Sequence, residues 1–167
     1  MSSPEVFRSV FARNCAVRRI DAALAREFLG SFHRYGWCRS RYCYGLFIGR
    51  AGGGRRDCSG AEDLPVGTLV AVSTFSQARR WLKDGRTVSS HEWVRYASLP
   101  DVRVQGGMGK MLERFVEDVD PDDVMTYAPL ARGDEGDVYR LLGFVQEGAK
   151  EFDGGISLKF RKKFRDY

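Results

Sequence analysis

The stretch that most constrains this chain is Arg-Val-Gln-Gly-Gly-Met-Gly-Lys-Met-Leu-Glu-Arg-Phe-Val-Glu-Asp, residues 103–118, a glycine-rich turn running straight into a helix. Met108, Met111, Leu112, Phe115, Val116 and Val119 recur at i, i+3, i+4, i+7, i+8 and i+11, one apolar helical stripe. Lys110, Glu113, Arg114, Glu117 and Asp118 take the other face. The segment before it, Glu92 to Ser98, is rich in strand formers. Strand, glycine turn and helix together aim free backbone N–H groups and a helix-dipole terminus at an anion. Glycines let the backbone approach such a group without a Cβ in the way. The spacing is neither a P-loop nor G-x-G-x-x-G, so any anion loop here is a shorter one of another type. A plain tight turn needs the same Gly-Gly pair.

Size and charge narrow the rest. A chain of 167 residues makes one domain, 1–167, with a real core. With 43% hydrophobic and 29% charged residues, its composition is that of a soluble globular protein. No apolar run approaches the roughly 20 residues of a membrane span. The N-terminus shows no apolar signal core, so a cytoplasmic location is expected and no membrane association. Net charge is 27 − 22 = +5, which favours an anionic partner such as cofactor phosphates or nucleic acid. Arg39, Arg41, Arg50, Arg55 and Arg56 form one basic cluster, and Lys159, Arg161, Lys162, Lys163 and Arg165 another. A solvated surface explains either cluster as well. Cys15, Cys38, Cys43 and Cys58 contain no C-x-x-C pair, so free thiols and no metal site are expected.

In order, Val6 to Phe11 is β-like, Cys15 to Ile20 reads as a first strand, and Asp21 caps a helix carrying Leu24, Phe28, Leu29 and Phe32, with Gly36 as its stop. His33 and Tyr35 fall at the helix end. Residues 41–48 and 68–75 form an antiparallel pair across a long flexible polar loop, 49–66. Gln77 to Gly85 reads as a basic connector, followed by Val88 and the strand Glu92 to Ser98. Beyond the glycine turn and its helix, Asp123 to Ala128 is a short strand ended by Pro129, and Asp137 to Phe144 a short helix stopped by Gly143. Val145 to Phe152 and Ile156 to Phe160 close the chain around a turn at Asp153-Gly154-Gly155. The order is β-α-β-β-β-α-β-α-β-β, an α/β (α+β) domain with a mixed central sheet flanked by helices.

That order, with a glycine turn between a central strand and the next helix, resembles the GNAT acyl-CoA N-acyltransferase superfamily. Val104-Gln-Gly-Gly-Met-Gly-Lys-Met-Leu112 looks like its acetyl-CoA pyrophosphate loop: Gly107, Gly109 and Leu112 match, and Val104 stands where Gln or Arg is usual, flanked by Arg103 and Gln105. Tyr139-Arg-Leu-Leu-Gly-Phe144 looks like the family's Tyr-x-x-Leu-Gly-Phe helix, whose tyrosine protonates the departing thiolate in many members. A narrower resemblance, through His33, Tyr42 to Phe47, Ser73 to Phe75, Glu92 to Tyr96 and Thr126 to Ala128, is to phage-type Mom-like proteins that modify DNA adenine. There Pro129 replaces an Asp that often follows Tyr-Ala, leaving Asp134 or Asp137 as stand-ins.

The resemblance implies acetyl-CoA, or another acyl-CoA, as cofactor and an amine-bearing acceptor. Gln105, Gly106, Gly107, Met108, Gly109 and Lys110 would hold the pyrophosphate, and backbone groups near Ala97 to Leu99 the pantetheine arm. Glu92 or His91 would take the amine proton; strand alternation lets only one serve, and acids on this strand in the family favour Glu92. Tyr139 would be the general acid, and His33 a further candidate. Each has a plainer role: a surface carboxylate, a core aromatic, a helix-end histidine. The rival functions are a Mom-like nucleic-acid modifying enzyme and a degenerate GNAT fold serving as a nucleic-acid-binding module through its basic clusters. Monomer and homodimer are both open.

Overall fold

The computed structural model describes residues 8–50, 64–130, 135–152 and 154–167. Most of the 49–66 loop, with Arg55, Arg56 and Cys58, lies outside them, as do Asp134 and Asp153 of the turn. Within the described residues the elements are β1 (Arg8–Phe11), a 3-10 turn (Ala12–Asn14), β2 (Cys15–Arg19), α1 (Ala22–Phe32), β3 (Tyr42–Ile48), β4 (Leu69–Phe75), β5 (Arg79–Lys83) and β6 (Arg86–Ser98). They continue with β7 (Val102–Gln105), α2 (Gly107–Val119), β8 (Asp123–Pro129), α3 (Glu135–Leu141), β9 (Val145–Phe152) and β10 (Gly155–Lys163). The main sheet has the strand order β2-β3-β4-β6-β8-β10-β9, with β5 on β6, and β1 pairs β7 separately. The mixed α/β class read from the sequence is therefore the observed one.

The chain divides into two compact units, residues 1–75 with 94–118, and residues 76–93 with 119–167. In the first, β2, β3 and β4 pair antiparallel. Alternation along β3 and β4 sends side chains to both faces. Cys43 and Val72, with Ala97, meet Ala25, Phe28 and Leu29 of α1. Tyr44 and Phe75 meet Phe115 of α2, whose ring stacks on Phe75 at 4.0 Å between centroids. Asp21 caps α1 as its sequence position requires, its Oδ1 accepting from the Leu24 N–H at 2.8 Å.

In the second unit β6 and β8 are parallel, with Ser90, His91 and Glu92 opposite Asp123, Val124 and Met125. β8, β10 and β9 follow antiparallel. α3 lies against β8 and β9, its Tyr139 ring 5.7 Å from Phe144 and 5.9 Å from Phe160.

Four sequence expectations need correction. Residues 79–83 are the strand β5, not a connector; all five are exposed, so the β6 ladder rather than burial holds them. Residues 103–105, read as the start of the glycine turn, belong to the strand β7, paired parallel with β1. α1 ends at Phe32, short of Gly36: His33 leaves the helical backbone at ψ 136 and its Nδ1 accepts the Tyr35 N–H. Finally, β10 reaches Lys163 and the terminal basic cluster is committed to internal partners. Arg161 pairs with buried Asp123 and with Glu147, and Arg165 with Asp120 and Asp122. Lys162 Nζ donates to the Leu142 carbonyl at 2.7 Å.

Candidate active site

The glycine turn is built by two elements of the first unit. β7 delivers Gln105, opposite Phe11 of β1, to the surface. Gly106 then turns with φ +77, a left-handed conformation that glycine adopts without a Cβ penalty. Its carbonyl accepts from the Lys110 N–H at 3.1 Å, so Gly106 stands at the cap position just before α2. The N–H groups of Gly107, Met108 and Gly109 therefore belong to the first turn, where a helix has no backbone acceptors of its own.

Gly107 is buried against β6 and β7. A Cβ there would come within 2.7 Å of Val104 Cγ1 and 3.2 Å of the Tyr96 hydroxyl. That hydroxyl is pushed up to about 12 by burial. The valine standing where the resemblance leads one to expect Gln or Arg thus has a packing role: it fills the space that the missing Cβ leaves. Gly106, by contrast, has only the Ala12 side chain near its own missing Cβ, at 3.6 Å.

Lys110, expected to reach a pyrophosphate, is tethered instead. Its Nζ donates to the Ala12 carbonyl at 2.8 Å and the Cys15 carbonyl at 2.6 Å, holding the 3-10 turn against the first turn of α2. Leu99 also departs from expectation: its N–H donates to the Val70 carbonyl and its own carbonyl accepts from Val102, so it does not offer the free backbone expected for a pantetheine arm. Ala97 is a core residue packed toward α1.

His33, in the same unit, has its pKa lowered to about 4 by burial first and then by the Arg95 guanidinium. It is neutral near pH 7, with Nδ1 occupied as the acceptor for Tyr35. Its proton then sits on Nε2, which suits a donor rather than a base.

The second unit holds Glu92 and Tyr139. Glu92 is half-buried, and its backbone is clamped by Ser76: the Glu92 N–H donates to Ser76 Oγ at 2.8 Å, and the Ser76 N–H donates to the Glu92 carbonyl at 2.8 Å. Burial and then the Glu92 charge raise the pKa of Tyr127, with Arg79 and Arg161 opposing. Glu92, Tyr127, Arg79 and Arg161 are thus electrostatic neighbours. His91, the rival base, is buried, and its Nδ1 lies 2.9 Å from the Ser76 carbonyl. A carbonyl only accepts, so Nδ1 carries the proton there. Tyr139 is half-buried in an aromatic cage of Trp93, Phe144 and Phe160. The Ser76 clamp and the Lys110 tether carry no local sequence signal, because each joins residues whose proximity depends on the fold.

No protein-family model matches the chain, and no curated protein matches it in sequence. Solved structures do match in fold. A spermidine/spermine N-acetyltransferase, SpeG, from Vibrio cholerae aligns at a TM-score of 0.61 and 8% identity, over 91% of this chain and 94% of that one. NAA60 from Arabidopsis thaliana, in complex with acetyl-CoA, aligns at 0.60 and 12%, over 90% and 98%. An acetyltransferase from Bacillus subtilis in complex with CoA aligns at 0.56 and 12%, over 91% and 99%. The fold of this chain is that of GNAT acetyltransferases.

Proposed function

We propose that this chain is an acyltransferase that moves an acetyl or acyl group from acyl-CoA to an amine. The observation that carries the proposal is the passage from β7 through Gly106 and Gly107 into α2, set in a GNAT fold. The fit to a pyrophosphate is structural. Gly106 holds φ +77 with only the Ala12 side chain near its missing Cβ, and the first-turn N–H groups of α2 belong to residues 107–109. An anion there is stabilised by those donors and by the helix dipole. The group, when bound, supplies an acyl thioester.

What the chain's own residues do follows from their chemistry. Glu92 supplies the carboxylate that accepts the proton the attacking amine must lose. Ser76 holds the Glu92 backbone from both sides and so fixes where that carboxylate starts. Tyr139, its ring held by Trp93, Phe144 and Phe160, would hold the phenolic proton that a leaving thiolate takes up. His33, a neutral imidazole with Nδ1 committed to the Tyr35 N–H, suits donation through Nε2 better than proton abstraction. The spermidine/spermine N-acetyltransferase of like fold named above supports an amine as acceptor.

The test is acetyl transfer to a panel of amines by the full chain. Glu92→Gln is expected to lower kcat by about 10²–10⁴-fold, the usual worth of a general base, while leaving the KM for acetyl-CoA within about twofold. Tyr139→Phe is expected to lower kcat with less effect at high pH, where the thiolate leaves without a proton. An unchanged kcat in both would remove these two roles.

A second reading is a Mom-type enzyme acting on DNA adenine, through the sequence stretches given above. Pro129 stands at the end of β8 opposite Ser157, and a proline cannot supply the carboxylate often found there in that group. Mass analysis of nucleosides from DNA incubated with the protein and acetyl-CoA separates the two: an altered adenosine supports the Mom-type reading, and unmodified DNA with acetylated amine supports the first.

A further inference from the structure

The end of α1 presents an arrangement that the transfer chemistry does not use. After Phe32 the chain makes a tight turn in which the Gly36 N–H donates to the His33 carbonyl at 3.0 Å and the Tyr35 N–H to His33 Nδ1 at 3.0 Å. The turn sets out the Tyr35 side chain, 56% exposed. Two guanidinium groups flank its ring, Arg34 at 5.5 Å and Arg95 at 5.8 Å from the centroid. The His33 ring lies 5.9 Å away. Arg95 is not loose: its Nε donates to the Gly36 carbonyl at 3.2 Å and its Nη1 to the Val94 carbonyl at 3.0 Å, which joins β6 to the turn.

A tyrosine this exposed gains little from burial, and the turn that holds it is fixed by three hydrogen bonds. Among the described residues, neither Arg34 nor Arg95 pairs with a carboxylate. Positive charge therefore gathers over an exposed tyrosine ring, and Arg95 contributes to the field that keeps His33 neutral. This contrasts with the C-terminal basic cluster, where Arg161 and Arg165 are neutralised by Asp123, Glu147, Asp120 and Asp122. Unneutralised guanidinium beside a flat exposed ring is the pairing that takes a phosphate and a planar heterocycle together. An aliphatic polyamine, cationic throughout, would be repelled.

We propose that Arg34, Tyr35 and Arg95 form the acceptor-recognition site and that it takes a nucleotide unit, the base stacked on Tyr35 and the phosphate held by the guanidinium groups. The inference rests on the acyltransferase reading for the word acceptor, and on the geometry alone for the binding. Free nucleotides and single strands of nucleic acid share this chemistry, and the test distinguishes them.

The full chain is titrated at low salt with AMP, by calorimetry, and with a dye-labelled single-stranded oligonucleotide, by fluorescence anisotropy. The same titrations follow for Tyr35→Ser, Tyr35→Phe and Arg34→Gln, all on exposed positions. Binding that weakens by roughly fivefold to a hundredfold in Tyr35→Ser, is retained in Tyr35→Phe and is lowered in Arg34→Gln supports the site. Binding of AMP points to free nucleotides, and binding of the oligonucleotide alone, weakening as salt rises, to a strand. No binding of either probe overturns the proposal. Loss in Arg34→Gln without loss in Tyr35→Ser also overturns it, because a plain anionic patch needs no ring. Acetyl-CoA melting shifts on the same variants keep the two ideas apart. A wild-type shift without nucleotide binding removes this site and leaves the cradle, whereas nucleotide binding without an acetyl-CoA shift removes the cradle and leaves this site.

Discussion

At the scale of single residues, the clearest physical statement concerns Gly107. Its neighbour Val104 fills the space of the missing Cβ, so Gly107→Ala places a methyl 2.7 Å from Val104 Cγ1. Overpacking of that kind costs typically about 1–3 kcal/mol. Val104→Ala in the same chain should return most of it, and denaturant melts of the four proteins in the cycle measure the coupling. Additive losses would show that the two side chains do not contest one space. His33 makes a second statement. Its folded pKa of about 4 lies below the ordinary imidazole value near 6.5, so in that window the unfolded chain holds the proton more tightly. The contribution is full above about pH 6.5 and is lost as pH falls toward 4. For a partly exposed ring the effect is on the order of 1 kcal/mol. Urea unfolding between pH 4 and 7 should show a shallower slope in His33→Asn, whose amide oxygen can still accept the Tyr35 N–H. An unchanged slope would mean that another group titrates there.

At the scale of elements, the tether from Lys110 ties the 3-10 turn after β1 to the first turn of α2. Lys110→Met keeps the aliphatic stem and removes both donors, leaving the Ala12 and Cys15 carbonyls to find others. The expected outcome is faster hydrogen exchange in residues 8–15 and 102–107, with the β3–β4 pair unaffected; uniform exchange across the unit would contradict a local tether. How far the elements could be read from sequence follows from what holds them. α1, α2, β3 and β4 bury one or both faces, and their periodicity shows it: Asp21 as cap and the Met111–Leu112–Phe115 stripe appear where expected. β5 and β7 are not legible in the sequence because neither carries a local signature. β5 is exposed along its length and exists through its ladder to β6. β7 is a strand because β1, remote in sequence, lies beside it. Likewise nothing local marks Lys159 to Arg165 as internal ion-pair partners, since Asp120, Asp122, Asp123 and Glu147 reach them only through β8, β9 and the C-terminal segment.

At the scale of the whole molecule, the candidate site was legible in kind more than in detail. The Gly106–Gly107 turn into α2 is legible because its conformational demands fall on glycine itself. The roles of Lys110 and Leu99 are not, because hydrogen bonding to Ala12, Cys15, Val70 and Val102 is decided by tertiary packing. The fold shared with acetyltransferases leaves one claim on which the account turns, that the cradle binds acyl-CoA. Its most direct test is the melting temperature of the full chain with and without millimolar acetyl-CoA, alongside Gly107→Glu. A ligand in large excess over its Kd stabilises by about 2–4 kcal/mol, a shift of several degrees. The wild-type chain is expected to show that shift, and a Gly107→Glu protein that still unfolds cooperatively to lose it. No shift in the wild-type chain would contradict it and leave a GNAT scaffold without the cofactor.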